Sequence, residues 1–89
     1  MSYQITGAIV NDEGVKYAIV LVNHDVVQNI NQNEEAINAY LHIFPGMPII
    51  LLGRDWQGKS TYYGQKDIVD YISKIDPQRI PWRRYIISD

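Results

Sequence analysis

Gly53-Arg54-Asp55-Trp56-Gln57-Gly58-Lys59-Ser60 satisfies the phosphate-loop pattern G-x-x-x-x-G-K-S. In a working loop of this kind, backbone N–H groups and a helix N-terminus converge on a phosphate, while the lysine reaches its outer oxygens and the serine serves magnesium. That chemistry needs a strand leading into Gly53 and a helix starting at Lys59. The apolar stretch Pro48 to Leu52 supplies the strand. The segment after Ser60 is unsuited to the helix: Thr61-Tyr62-Tyr63 favours extended structure, and Gly64 would fall within the first turns. Phosphate-loop domains also draw a magnesium-coordinating aspartate from a further strand, which only Tyr85-Ile86-Ile87-Ser88-Asp89 imitates. The expected structure is a hairpin turn. Nucleotide or phosphate binding through Gly53, Gly58, Lys59 and Ser60 is the alternative reading.

A second constellation is aromatic and basic. Arg79, Trp82, Arg83, Arg84 and Tyr85 cluster near the end of the chain, and Trp56 lies between Arg54 and Lys59. Tryptophan, tyrosine and arginine are enriched at protein-binding hot spots, and arginine with aromatics also holds single-stranded nucleic acid. A purely structural explanation competes: Trp82 closes the end of the core while the arginines are solvated. The residues named as a candidate protein interface are Trp56, Trp82, Arg83, Arg84 and Tyr85.

Catalytic groups are harder to assemble. His24 and Asp25 are adjacent, so on a strand they point to opposite faces and do not form a base with its orienting carboxylate. His42 falls on the polar side of a helix near its C-terminus, with no third ligand at metal spacing. Asp67 and Asp70, one turn apart near a helix start, are explained by the helix dipole. Ser60, Thr61 and Ser73 lack a nucleophile-elbow context. No catalytic residue, metal or cofactor is expected.

The chain has 89 residues, 46% of them apolar and 20% charged, which fits one globular domain over 1–89 and is too hydrophobic for disorder. With no cysteine, disulfides, thiolate metal sites and a cysteine nucleophile are excluded, and a reducing compartment is expected. The N-terminal MSYQITGAIV lacks a basic segment followed by a long apolar one, and no apolar run approaches the roughly 20 residues that span a bilayer. Cytoplasmic location is the expectation. The net charge of −2 is too mild to suggest a nucleic-acid or membrane surface, although acids dominate the first third and bases the tail.

These residues must be positioned by a small set of elements. Tyr3 to Val10 and Val15 to Asn23 form an expected β-hairpin around the turn Asn11-Asp12-Glu13-Gly14. Ala18-Ile19-Val20-Leu21-Val22 is apolar without a break, which implies burial on both faces and a central strand. Gln4 and Thr6, alternating with Ile5 and Gly7, suggest that the first strand is an edge. Helix one is expected to start at an Asn31 cap with Glu34 three positions on, and to bury Ile37, Tyr40, Leu41 and Phe44 before Pro45-Gly46. Pro48 to Leu52 and Thr61 to Tyr63 pair across the loop. Helix two covers Lys66 to Ile75, with Ile68, Tyr71, Ile72 and Ile75 on its buried face, and Arg84 to Ser88 can add a last strand. The fold class is α+β: a two-layer sandwich of order ββαββα, with a four- to five-stranded sheet and both helices on one face. The sheet is mixed if the helical crossover joins strands two and three in parallel.

Gly46-Met47-Pro48-Ile49-Ile50-Leu51, followed by a hairpin, Gly64 and a helix, resembles the C-terminal half of thioredoxin-like proteins. The similarity covers under half the chain. It implies a cis proline in the G-x-P segment, and because the C-x-x-C of that family is absent it implies no redox activity. The function expected from the residues is non-enzymatic protein interaction, with an unidentified protein partner or self-association. Nucleic acid and membrane are not expected as partners.

Overall fold

The computed structural model describes residues 2–12 and 14–88. Strands β1 (Ser2–Asp12) and β2 (Val15–Asn23) lead into two helices, α1 (His24–Gln28) and α2 (Ile30–Leu41). Then come β3 (Ile49–Arg54), β4 (Ser60–Tyr63), α3 (Lys66–Ile72), a 3-10 turn (Pro77–Arg79) and β5 (Arg83–Ser88). The sheet has five strands in the order β4-β3-β2-β1-β5. It is mixed: β2 and β3 run parallel across the helical crossover, and every other pair is antiparallel. The α+β class and the fifth strand are those expected, and the order differs only in that two helices, α1 and α2, stand where one was expected. Glu13 of the first turn lies outside the described residues.

The layering differs from the expectation in one respect. Cross-strand partners share a face of a sheet, so the register places Ala8, Ile19 and Ile50 on one side and Ala18, Ile49 and Leu51 on the other. The first side is covered by Ile68 and Ile72 of α3 and by Ile80. The second is covered by Val27 of α1, by Ile37 and Tyr40 of α2, and by Phe44. The helices therefore divide between the two faces. The cause is in β2 and β3, where Tyr17 through Val20 and Ile49 through Leu52 are all buried. A single helical layer cannot shield both sides of such strands.

Three local expectations are also corrected. β1 is an interior strand between β2 and β5, and its polar alternation marks a face left open, not an edge. The cap of α2 is Asn29, whose Oδ1 accepts from the backbone N–H groups of Asn31 at 3.0 Å and Gln32 at 3.2 Å. An extended residue at Asn29 separates the short helix α1 from α2. The cis proline implied by the thioredoxin-like resemblance is absent, since no described peptide bond is cis.

Candidate functional site

The segment matching the phosphate-loop pattern is the β3–β4 hairpin, with Arg54 opposite Ser60 and Gly53 opposite Thr61. Its turn is closed from within. The Asp55 carboxylate accepts the backbone N–H groups of Gln57 at 2.9 Å and Lys59 at 2.8 Å. Asp55 N–H donates to the Lys59 carbonyl at 3.0 Å, and Gly58 N–H to the Asp55 carbonyl at 2.9 Å. Side-chain capture of nearby backbone donors is what aspartate does in tight turns, and here it takes two groups that a bound phosphate would use. Gly58 supplies the left-handed residue, at φ +84°.

Gly53 has a packing role instead: a Cβ there would stand 2.8 Å from Val27 Cγ2 and 3.0 Å from His24 Cα, so the glycine lets α1 approach β3. Lys59 is exposed, and Ser60 opens a strand where a phosphate loop would open a helix.

The aromatic and basic residues are not gathered in one place. Trp56 is 90% exposed at the hairpin tip beside one sheet edge, and β5 forms the other edge. Trp82 is half-buried and packs against the α3-side core. Within β5 the register alternates the side chains: Arg83, opposite Gly7, and Tyr85, opposite Ile5, face the α2 side, whereas Arg84, opposite Thr6, faces the α3 side. Tyr85 belongs to the core on its side and packs edge-on against Phe44.

What the structure does bring together is an open strip on the α3 face. Helix α3 is only seven residues long and covers one end of that face. Beyond it, Leu21, Thr6 and Arg84 form a row across three adjacent strands that runs on from the buried Leu52 of β3. Leu21 is 40% exposed in this row, and Ile86, the next residue of β5 on the same face, is 69% exposed. Thr6, Leu21, Leu52, Arg54, Gln78 and Trp82 line a hollow of about 310 Å³ on the strip.

The same end of the sheet is forked. The β1–β2 ladder stops at Thr6 and Leu21, yet β1 continues to Ser2 paired with β5, and β2 continues to Asn23 paired with β3. Between the fork and the helices lies a hollow of about 810 Å³ whose polar lining includes Gln4, Asn23, His24, Gln32, Glu35 and Tyr40. Thr6, Leu21 and Arg54 border both hollows. His24 Nδ1 is buried there without a hydrogen-bond partner among the described residues.

Sequence reasoning missed the fork because it depends on where a long-range ladder ends, which leaves no local signal. The exposed Ile86 was visible only as one apolar residue among others.

Among the described residues no group of His, Asp or Glu is placed to hold a metal ion, and no helix is long and apolar enough to cross a membrane. Burial pushes the Tyr62 phenol above its ordinary value, and the Arg54 charge opposes that rise. The arrangement supplies cations, amides and the exposed apolar side chains of Leu21 and Ile86. Comparison with protein-family models, with curated proteins and with solved structures found no match.

Proposed function

We propose that this chain is a non-enzymatic protein-binding domain whose contact surface is the open strip of the α3 face, from Arg54 and Trp82 across Leu21 to Arg84 and Ile86. The observation that carries the reading is Ile86, a large apolar side chain 69% exposed on the part of the face that α3 leaves uncovered. Exposed apolar side chains flanked by arginine and tryptophan have the composition of an interaction surface. Arg54 and Arg84 at its two sides favour a partner that brings carboxylates to the rim and an apolar residue to the centre. Trp56 sits apart, so it adds a second contact only for a partner that reaches round to the hairpin. The reading includes a cytoplasmic location, because a chain without cysteine has no need of an oxidising compartment.

The test is site-specific photo-crosslinking in cells, with the probe at position 86 or, as control, at exposed Asn38 on α2. A discrete adduct from position 86 that Arg84→Glu abolishes is the expected result. Equal labelling from positions 86 and 38 would sink the reading. The rival, a nucleotide or phosphate held by Gly53, Gly58, Lys59 and Ser60, is favoured only by exposed Lys59 beside a left-handed glycine. The Asp55 carboxylate in the same turn works against it.

A further inference from the structure

We infer that β5 pairs antiparallel with β5 of a second copy of this chain, about a two-fold axis through Ile86, so that two five-stranded sheets become one. This rests on the reading of the β5 side as a contact surface and names its partner.

β5 is an edge strand of six residues, longer than the four-residue β4 at the opposite edge. Natural edges are guarded against such pairing by charges, proline or bulges. Here Pro81, Arg83 and Arg84 guard only the beginning, and Tyr85-Ile86-Ile87 carries no charge. The strand is therefore open to pairing along its second half.

The pleat then restricts the register. Side chains alternate with a period of two, so a two-fold axis keeps each face of the joined sheet continuous only if it passes through a residue and not between residues. An axis at Arg84 sets that arginine against its own copy. An axis at Tyr85 sets Arg84 against Ile86 and Arg83 against Ile87. An axis at Ile87 leaves little of the described strand paired.

An axis at Ile86 sets Ile86 against Ile86, Tyr85 against Ile87 and Arg84 against position 88. This register buries Ile86, the most exposed isoleucine among the described residues, on its own copy and leaves no two like charges opposed along the described strand.

The chain has no cysteine, so one introduced thiol reports its own meeting. In the proposed register, Ile86→Cys forms a disulfide-linked dimer under mild oxidation at least about tenfold faster than Arg84→Cys or Asn38→Cys, because only position 86 meets its own copy at a cross-strand distance. Sedimentation equilibrium is the independent readout. The unmodified chain shows a reversible monomer–dimer equilibrium, and Ile86→Asp weakens it by roughly tenfold or more, since like charges would be opposed at the axis. At an exposed position this substitution leaves the circular dichroism unchanged.

A chain that stays monomeric up to about 1 mM, the weak end of specific association, overturns the inference. So does a dimer in which Ile86→Cys links no faster than Asn38→Cys. In either case a photo-adduct of different mass from position 86 would leave the binding-surface reading standing. The loss of every adduct from that position removes both.

Discussion

Tyr85 in β5 meets Phe44, in the segment after α2, edge to face: the ring centroids are 5.2 Å apart and the planes 87° from parallel. The contact ties the edge strand to the α2-side core, so the face of β5 opposite the open strip is anchored by an aromatic pair. Such pairs couple by about 0.5–1.5 kcal/mol beyond their burial. A double-mutant cycle with Phe44→Leu and Tyr85→Leu, followed by urea unfolding, is expected to give coupling in that range. A coupling near zero would mean that β5 is held by its ladder with β1 alone.

The hairpin turn gives a second prediction, because its glycines have different tasks. Gly53→Ala pushes a methyl group into Val27 and the backbone of His24 and is expected to cost about 1–3 kcal/mol, as overpacking does. Gly58→Ala forces φ +84° on a residue with a Cβ and is expected to cost about 1 kcal/mol. If the turn held a nucleotide, magnesium-ATP would shift the amide resonances of Gly53 to Thr61 in a saturating manner. The Asp55 bonds to Gln57 and Lys59 lead us to expect no such shifts.

The cap of α2 separates two explanations of one helix. Asn29→Ala removes the acceptor used by two N–H groups and is expected to cost about 1 kcal/mol in thermal or urea unfolding. Asn31, already inside the first turn, is exposed; Asn31→Ala is expected to be nearly neutral. The reverse ranking would restore the cap to Asn31, where the capping-box spacing alone would put it.

That cap shows where local reading of this chain succeeds and fails. Asn31 with Glu34 has the right spacing, but the helix begins where an acceptor can reach two free N–H groups, and α1, packed down through Val27, brings the start forward to Asn29. The unbroken apolar run in β2 did reveal a central strand, and Thr61-Tyr62-Tyr63 did reveal the hairpin partner, because both signals are local. The run also implied cover on two faces, which two helices on one face cannot supply; the element order alone held no information on which way α3 turns. Gln4 and Thr6 suggested an edge because polar alternation reports an open face, whereas edge position is a matter of hydrogen-bonding neighbours. The five candidate interface residues are close in sequence or chemistry, but strand alternation sends Arg83 and Arg84 to opposite faces, and the sheet order separates Trp56 from β5.

Tyr62 offers a pH test with a definite sign. Its phenol is raised from the ordinary value by burial, and Arg54 partly opposes that rise. Below about pH 10, the ordinary tyrosine value, the group is neutral in both folded and unfolded chains and its contribution to stability is fully present. As pH climbs past that value the unfolded chain ionises first, so stability falls until the folded-state pKa is passed. Tyr62→Phe is expected to remove this part of the alkaline loss, read as a flatter dependence of the urea midpoint on pH. Arg54→Gln removes the opposing charge and is expected to move the Tyr62 titration still higher, followed by the ring-carbon resonance of a tyrosine-labelled sample. Since Arg54 borders both hollows, a carboxylate docked against it would neutralise the same charge and shift Tyr62 in the same upward direction. A bound acidic partner that leaves the Tyr62 titration where it was would place the contact away from Arg54 and confine the surface to the β5 side.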